Sequence, residues 1–570
     1  MKKVIYSVAA AALLFTTSCS DFLERAPQDA LSPSTFWQTE SDAYLALVGC
    51  YNGLDNIYHD GHWTGMNCIM MDALSDDCFD YFGWEGYQTM ITAGMNSNNN
   101  GVAGSWFRFD DIRACNEYVA MEKNVAWSDD ATEKQYLAEA QTIRAMLFQF
   151  RSQLYGDFPL VTTVIETPDE AYDTKNGRTS KEKVYEFVKS ELAAAIPNLP
   201  DKANQTQGRI NKQFAQGLLM RQYLWEGNYA SAEPLAKDIV EKGGLTLAGN
   251  YEDMWLEANQ YDSETIFDYS FISNTSRDFY GDPFCPNGAL GGWSSVVPTV
   301  DLVEAFECID GKPIEESPLY DAKHPYLNRD PRLHATVLYS GQPYPGYEGK
   351  NPHNVFNSLP RYFSDGTANP DWWNYTGNST KSGLNLKKYM RHENVYANGA
   401  AHMTVHYKAM RLAEAILSYA ECLIEQNKDL DLAVELINRT RERAYAGNVY
   451  GVAAPLVENK GQEYLRQEVR RERRMELGTE GLRRFDLCRW GIFVEEINNF
   501  TVAHYDGDLT NEKDAYGDYI AEVTGVTDGD SPNCPKTNTD FKNFKAYQQW
   551  WPISQGTIDN TPNLTQTAGY

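Results

Sequence analysis

The side chains that most often carry enzyme chemistry form no recognisable catalytic pattern in this chain of 570 residues. The sequence contains no G-x-S-x-G nucleophile turn, no G-x-x-x-x-G-K-[ST] phosphate loop, no H-E-x-x-H zinc motif and no G-x-G-x-x-G after a strand. Each absence excludes a large class of enzymes, so we predict no catalytic residue. Because 79 acidic residues make many carboxylate pairs, a glycosidase dyad is neither found nor excluded by the sequence.

Metal-binding patterns are equally sparse. His402 and His406 are four residues apart and could share a helix face, but no acidic residue stands beside them, and we predict no metal site there. The Asp-Gly-Asp sequences at 506–508 and 528–530 offer oxygen ligands of the kind that calcium prefers. Neither fits an EF-hand loop, so solvated turns are favoured. We expect no cofactor, although the composition allows a structural calcium ion.

The cysteine spacing matches neither a zinc site nor a disulfide framework. Ten cysteines are scattered along the chain with no C-x-x-C pair. Cys68 and Cys78 could pair within one loop, which is the alternative to a free thiol at both positions. We expect most of the others to be buried free thiols that pack as small apolar side chains.

Long amphipathic helices must carry much of the chain, because apolar residues recur at three- and four-residue spacing in several segments. In the segment 134–154 the pattern includes Ile143, Leu147 and Leu154, and Gly156 then ends it. The same spacing predicts further helices over 181–196, 212–225, 230–242, 408–425 and 431–444.

Two helix-turn-helix units among these segments resemble each other. Tyr229 and Ala232 begin one second helix with the same large-and-small spacing as Leu430 and Ala433 in the other. This resembles tetratricopeptide packing, in which stacked helix pairs bury a shared apolar stripe. A simple αα-hairpin would give the same spacing and is the alternative.

A cluster of arginines near the C-terminus is interleaved with glutamates. Opposite charges three or four residues apart on one helix form ion pairs, so the sequence predicts internal pairing and no binding of nucleic acid. The cluster comprises Arg466, Arg470, Arg471, Arg473, Arg474, Arg483, Arg484 and Arg489 with Glu468, Glu472, Glu476 and Glu480.

The first nineteen residues have the parts of a secretory signal. Two lysines precede an apolar run from Val4 to Phe15, and small residues then lead to Cys19. The apolar run is too short to span a bilayer core about 30 Å thick. We predict a signal peptide over 1–18 and lipidation of Cys19, which would anchor the protein in a membrane. Cleavage without lipidation, giving a soluble product, is the alternative.

The remainder of the chain is strongly acidic. The 50 basic and 79 acidic residues give a net charge of −29, which repels nucleic acid, anionic lipid surfaces and polyanionic polymers. A neutral ligand is therefore favoured. Because no Pro/Ser/Gly-rich linker separates the segments, we predict a single domain over 19–570.

The arginine cluster also carries the most specific family resemblance. The stretch 472–491, ERRMELGTEGLRRFDLCRWG, resembles the C-terminal signature of SusD/RagB nutrient-binding lipoproteins, and 19–24, CSDFLE, resembles their lipidated start. Other stretches agree with the family pattern in order along the chain, namely a Trp-x-x-Phe pattern at 106–116, LYGDFPL at 154–160, NRDPRL at 328–333, RLAEA at 411–415 and WPI at 551–553.

The resemblance implies a mainly α, tetratricopeptide-like scaffold of helical pairs with a large, irregular, loop-rich ligand-binding face. The scaffold is expected mainly in 40–250 and 405–495, and the ligand-binding loops mainly in 68–105 and 274–401. Members of the family bind oligosaccharides, and some bind peptides, without cleaving them. They lie on the exterior of the cell outer membrane beside a SusC-like TonB-dependent transporter. The resemblance thus implies a non-catalytic, lipid-anchored protein that captures a glycan and delivers it to that partner.

The aromatic composition suits a sugar ligand. Thirty-six Tyr and thirteen Trp supply platforms for the C–H faces of sugar rings, and neighbouring Asp, Asn and Arg side chains satisfy hydroxyls. Together with the net charge, this favours a neutral glycan such as a fructan, a glucan or a mannan. From local composition we predict glycan-binding residues in the first loop, Asp76, Asp77, Trp84, Tyr87, Asn96 and Asn98, and in the later loops, Tyr280, Trp293, Tyr344, Arg361, Trp372, Trp373 and Tyr375.

Two other functions stay open at the level of the sequence. A surface glycoside hydrolase would need two carboxylates about 5 to 9 Å apart in a cleft. A peptide-binding or protein-scaffold member of the same fold would bury its aromatic loops against a partner and show no affinity for glycans.

Overall fold

The structure is a computed structural model that describes most of the chain. The described residues are 36–58, 67–83, 85–273, 275, 278–288, 291–375, 377–499, 502–528 and 543–570. The predicted signal peptide, Cys19, Trp84 and residues 529 and 530 of one predicted acidic turn lie outside these ranges. Within them, no helix is both long and apolar enough to cross a bilayer.

Nine helices of twelve or more residues dominate the described part of the chain. They are α1 (Glu40–Asn52), α2 (Asp110–Met121), α3 (Asp130–Tyr155), α4 (Lys181–Ala195), α5 (Lys212–Trp225), α6 (Tyr229–Lys242), α7 (Leu412–Glu425), α8 (Leu430–Ala444) and α9 (Gln462–Leu477). Shorter helices lie between and after them at Asp55–Tyr58, Asn67–Met70, Ala103–Trp106, Pro168–Ala171, Val300–Ala305, Pro331–Thr336, His392–Asn398, Arg483–Arg489, Phe493–Asn499 and Gln555–Asn560.

The strands of the described part are mostly short and form antiparallel pairs. They are β1 (Cys78–Asp80), β2 (Phe158–Pro159), β3 (Arg178–Thr179), β4 (Thr265–Tyr269), β5 (Val296–Pro298), β6 (Val337–Leu338), β7 (Asn385–Leu386), β8 (Tyr407–Arg411), β9 (Ala503–Lys513) and β10 (Tyr519–Asp528). β1 pairs with β5, β2 with β3, β4 with β8, β6 with β7 and β9 with β10.

The long helices agree with the sequence periodicity. The side chain of Asp129 caps α3 by accepting a hydrogen bond from the Thr132 backbone N–H at 3.0 Å. The helix ends at Gly156, whose φ of +71° lies in the left-handed region that favours glycine. The helices predicted at 181–196, 212–225, 230–242 and 431–444 are confirmed to within one residue at each end.

One helix prediction is wrong at its start. The periodicity predicts that 408–411 opens a helix, but this segment belongs to β8, and α7 begins only at Leu412. The reason is a tertiary one, because the backbone of β8 pairs with β4, more than a hundred residues earlier in the chain. Local periodicity does not record such a pairing.

Pairs of adjacent helices form the scaffold. α5 packs on α6, α7 packs on α8, and α6 and α7 join the two pairs. Ala232 and Ala433, the small residues of the repeated sequence pattern, are fully buried, while Tyr229 and Leu430 are partly buried against the same core. The mainly helical, tetratricopeptide-like fold is therefore confirmed.

Buried ion pairs tie the C-terminal helices to the rest of the core. Arg411 contacts Glu264 at 2.7 Å, Glu476 at 2.6 Å and Glu480 at 2.7 Å, and all four side chains are buried. Within the arginine cluster, the predicted pairing is confirmed for Arg471 with Glu468 at 2.8 Å. Glu472, Glu476 and Glu480 pair instead with basic residues outside the cluster, so the prediction of pairs along one helix is mostly wrong. Because removing one partner of a buried ion pair is strongly destabilising, these contacts link the C-terminal helices to the rest of the core.

The prediction of a solvated turn at 506–508 is wrong. This acidic sequence lies inside β9, where Asp506 is opposite Gly525 and Asp508 is opposite Glu522. A Cβ atom added to Gly507 would stand 2.1 Å from the backbone oxygen of Glu522. Glycine is needed here because the two strands approach each other closely. In the sequence, a glycine between two aspartates resembles a turn signal.

The described cysteines are free thiols. Cys68 is buried with its sulfur 3.5 Å from the backbone oxygen of Tyr58, and Cys78 begins β1. The alternative of a disulfide between Cys68 and Cys78 is therefore wrong.

Candidate functional site

The structure places Asp76 and Asp77 in the interior. Both residues are at most 2% exposed. Arg483 donates two hydrogen bonds of 2.8 Å to Asp76, and Arg474 donates one of 2.7 Å to Asp77. Although burial opposes ionisation of Asp76, the two guanidinium groups hold its pKa below its usual range. We therefore reassign both carboxylates from ligand binding to the scaffold, where they attach the first loop to α9 and the helix after it.

Tyr87 and Tyr344 are also buried. The ring of Tyr87 packs edge-on against Trp106 at 6.4 Å, and the hydroxyl of Tyr344 lies 3.3 Å from the sulfur of Cys285. Burial raises the pKa of Tyr344 well above its usual value. Neither ring presents a face to solvent, so both are corrected from platform residues to core residues.

Asn96 and Asn98 are exposed but lie in a tight turn. The Asn96 side-chain oxygen accepts hydrogen bonds from the backbone N–H groups of Asn98 and Asn99 at 2.9 and 3.0 Å, and its amide donates to the Gly94 oxygen. The turn contacts the C-terminal segment, because the Gln555 N–H donates to the Ser97 oxygen at 2.9 Å. Asn96 thus has a structural role, whereas Asn98 keeps its side chain toward solvent.

Tyr280 and Trp293 form the first of two aromatic patches on the later loops. Their rings are half-buried and meet edge to face with centroids 5.5 Å apart. The backbone N–H of Trp293 donates to the Asp282 backbone oxygen at 2.8 Å, and His402 pairs with Asp278 at 2.6 Å. Burial and the adjacent Asp282 raise the pKa of Tyr280 to about 12. We call this group the Tyr280 patch.

The second group, which we call the Trp373 patch, contains Trp372, Trp373, Arg361, Tyr362 and Tyr375. The two indoles are 5.4 Å apart and tilted by 56°. The Arg361 guanidinium lies 5.3 Å from the Trp372 ring and 5.2 Å from the Tyr362 ring. Tyr375 closes the turn by donating its backbone N–H to the Trp372 oxygen at 2.8 Å. The patch therefore combines aromatic faces with a cation at the surface.

Residues that the sequence reasoning missed support the Trp373 patch. His504 of β9 stacks on Trp373 with centroids 4.1 Å apart and ring planes 30° apart. Lys381 donates to the Trp373 backbone oxygen at 3.2 Å and lies 4.3 Å from the ring of Tyr81. No local signal marks His504, because it is far from Trp373 in sequence. Tyr81 and Tyr362 belong to the same loops as the predicted site residues, so aromatic composition alone could have indicated them.

The loops that carry the two patches are held together by a buried carboxylate. Asp371 accepts hydrogen bonds from the Gly288 N–H at 2.8 Å and from the Tyr347 hydroxyl at 2.5 Å. Lys350 donates to the Gly288 oxygen at 2.8 Å. Burial raises the pKa of Asp371 to about 6. These contacts join the loop before Trp293 to the loop before Trp372.

A separate cavity of about 100 Å³ lies within the helical scaffold. Its lining includes Phe150, Trp225 and Phe485 together with the ion pair between Arg221 and Glu414 at 2.6 Å. Arg473 and Arg489 of the lining also pair with Asp486, and no predicted site residue is among the lining residues. The loop patches and this cavity are therefore distinct features.

The two histidines that could have shared a helix face do not do so. His402 ends a short helical turn and pairs with Asp278, whereas His406 precedes β8 and pairs with Asp268 at 2.8 Å. In the described residues, no group of three or more His, Cys, Asp or Glu side chains is arranged to hold a metal ion.

A scaffold of helical pairs that carries aromatic loops defines a protein of the tetratricopeptide-like fold class. Residues 254–570 match the model of the SusD family. A SusD-like protein of Bacteroides ovatus is 24% identical over 598 aligned residues, which cover 99% of this chain and 98% of the relative. The starch-binding protein SusD of Bacteroides thetaiotaomicron is 22% identical and covers 100% of this chain and 99% of its own.

The fold comparison agrees. The crystal structure of a SusD-like carbohydrate binding protein from Bacteroides fragilis superposes with a TM-score of 0.73 at 26% identity, covering 93% of this chain and 100% of that chain. The family model spans more than half of the sequence. This chain belongs to the SusD family, and the resemblance seen in its motifs is confirmed.

Proposed function

We propose that this chain is a non-catalytic, glycan-binding lipoprotein of the cell surface. In this proposal Cys19 anchors it in the outer membrane, facing the exterior. It binds a neutral oligosaccharide or polysaccharide, such as a fructan, a glucan or a mannan, and delivers it to a SusC-like TonB-dependent transporter.

The observation that carries the proposal is the Trp373 patch on the loop face. Trp372 and Trp373 are only partly buried, so part of their aromatic surface remains for a ligand. Arg361 stands over Trp372 and forms no ion pair with any described carboxylate, which leaves its donors for hydroxyl groups. Rigid aromatic surface beside free hydrogen-bond donors is the arrangement that sugar rings require.

The Tyr280 patch supports the same ligand class. Tyr280 and Trp293 supply aromatic surface, and Asp278, Asp282 and His402 place polar groups beside it. Hydroxyl groups can donate to these carboxylates, whereas an anionic ligand would be repelled by them. This local charge, with the net charge of −29, supports a neutral glycan.

Relatives support binding without cleavage. The Bacteroides thetaiotaomicron relative is named a starch-binding protein, and the Bacteroides fragilis structure is named a carbohydrate binding protein. Family membership, with the signal sequence ending at Cys19, supports the lipid anchor, the outer-membrane location and the transporter partner.

The direct test is calorimetric titration of the protein with a panel of neutral and acidic polysaccharides, using wild type and the variants Trp293→Ala and Trp373→Ala. We expect binding to at least one neutral glycan. We also expect at least one variant to lose about tenfold in affinity, because an aromatic platform contributes on the order of 1 kcal/mol beyond its buried area. The variant Tyr172→Ala, which removes an exposed ring directly after the helix Pro168–Ala171 and outside the loops of both patches, is the matched control and should bind as wild type.

Three outcomes would count against the proposal. Unchanged affinity in both tryptophan variants would remove the patches as the site. Wild-type protein that binds no glycan in the panel would favour a peptide-binding or scaffold role. Release of oligosaccharide products during incubation would instead indicate a glycoside hydrolase.

A further inference from the structure

An acidic pair that the proposed function does not use lies at the end of β1. Asp80 and Glu85 are 0% and 4% exposed. Ser295, also 0% exposed, lies across the β1–β5 ladder, where the Tyr81 N–H donates to the Ser295 oxygen at 2.9 Å and Asp80 is opposite Val296. Glu85 interacts with both Asp80 and Ser295, so three oxygen-bearing side chains lie together at one buried end of the sheet.

Burial raises the pKa of Asp80 to about 6, while the backbone around it favours the charged form. Its Oδ1 accepts a hydrogen bond from the Phe82 N–H, and its Oδ2 accepts one each from the N–H groups of Tyr87 and Gln88, all at 3.1 Å. Amide donors stabilise the charged form of a carboxylate. The N–H groups of Phe82, Tyr87 and Gln88 therefore converge on one carboxylate.

Glu85 and Ser295 have no equivalent partners. Both carboxyl oxygens of Glu85 and the hydroxyl oxygen of Ser295 are buried without a hydrogen bond of acceptable geometry to any described residue. Burial and the nearby Asp80 raise the pKa of Glu85 to about 10, with the Ser295 hydroxyl acting in the opposite direction. No described lysine or arginine forms an ion pair with either carboxyl group. The cluster lacks a compensating positive charge.

We propose that Asp80, Glu85 and Ser295 form a binding site for one divalent cation, and that calcium is the ion. Calcium takes carboxylate, hydroxyl, carbonyl and water oxygens in a flexible shell of six to eight ligands. One shared proton would leave one of the two carboxylates charged in the interior, with no cation beside it. A cation coordinates all of the converging oxygens and neutralises both carboxylates.

The ion has a defined structural consequence. It joins Asp80 and Glu85 to the segment that leads from Trp293 into β5. The site uses two carboxylates and a hydroxyl, and it is distinct from the acidic sequence at 506–508, whose oxygens also suit calcium. Calcium binding at this site does not depend on which glycan, if any, the loops bind.

The test uses the full chain after dialysis against a chelator. Titration with CaCl₂ is followed by calorimetry and by thermal unfolding, and Tb³⁺ luminescence sensitised by nearby aromatic residues reports the same site. We expect one Ca²⁺ per chain and a rise in melting temperature on adding it. In Glu85→Gln and in Ser295→Ala we expect affinity to fall at least tenfold.

The variant Asp508→Asn is the matched control, because it removes a carboxylate from the acidic sequence at 506–508 in β9. It should bind Ca²⁺ as wild type does. If Glu85→Gln does not fold by circular dichroism, Ser295→Ala decides the question, since it removes only a hydroxyl group. Wild-type protein whose melting temperature depends on pH but not on Ca²⁺ would identify a shared proton and overturn the inference. Unchanged Ca²⁺ binding in both variants would overturn it as well.

Discussion

Trp373 takes its position from His504, whose ring stacks against the indole. His504 is 1% exposed, and its Nε2 lies 3.5 Å from the Asp506 carboxylate. Burial outweighs that carboxylate and lowers the pKa of His504 to about 4. The ring is therefore neutral near pH 7 and packs under Trp373 without burying a charge.

The lowered pKa of His504 predicts how the stability of the protein depends on pH. The unfolded chain protonates His504 near pH 6.5, whereas the folded protein does so only near pH 4, so the unfolded state binds more protons between these values. Stability should fall as the pH is lowered from 6.5 to 4, with His504 contributing on the order of 2 to 3 kcal/mol. Denaturant unfolding of wild type and His504→Gln at several pH values measures the contribution.

The slopes of the two pH profiles carry the information, because other groups also titrate in this range. His504→Gln should lose less free energy of unfolding than wild type between pH 6.5 and pH 4. Parallel pH profiles for the two proteins would show that His504 is not held neutral by the fold.

At the scale of the elements, the junction between α9 and the short helix Arg483–Arg489 depends on Gly481. Its φ is +78°, and a Cβ atom there would lie 2.0 Å from the backbone oxygen of Cys68. Its N–H donates to the Asp72 side chain at 2.6 Å. The junction therefore brings the end of α9 against the first loop closely enough to exclude any side chain.

Gly481→Ala should destabilise the protein by about 3 kcal/mol or more, because backbone strain adds to a clash with backbone atoms that cannot rotate away. Gly491 offers a matched control, since its φ of +74° is similar and no atom lies within 4 Å of the added Cβ. Gly491→Ala should cost only about 1 kcal/mol. Equal losses in guanidinium unfolding would show that the approach to Cys68 is not rigid.

For the whole molecule, the net charge of −29 affects how strongly the affinity for a charged ligand depends on salt. A neutral glycan releases no counterions on binding, so raising NaCl from about 0.05 to 0.5 M should change its affinity less than about twofold. Calorimetry at several salt concentrations measures this dependence. Polygalacturonate, a polyanion, should not bind at low salt. An affinity that falls steeply with salt would point to an anionic ligand and to Arg361 as its contact.

The helical scaffold was accessible from the sequence because its signals are local. Apolar spacing placed α3 to α6 and α8, and motifs such as 472–491 indicated the family. Composition also pointed to the loops that carry Trp293 and Trp373. Helix formation depends on neighbours three and four residues apart, which a single sequence displays directly.

Tertiary structure decided which loop residues reach the surface. Asp76 and Trp373 both stand in irregular, polar and aromatic loops, yet one is enclosed by Arg474 and Arg483 and the other is half-exposed on His504. Strand β8 and the buried cluster at Asp80 likewise depend on segments distant in the chain. Burial and charge pairing arise from contacts of high sequence separation, and the local pattern of residues carries no record of them.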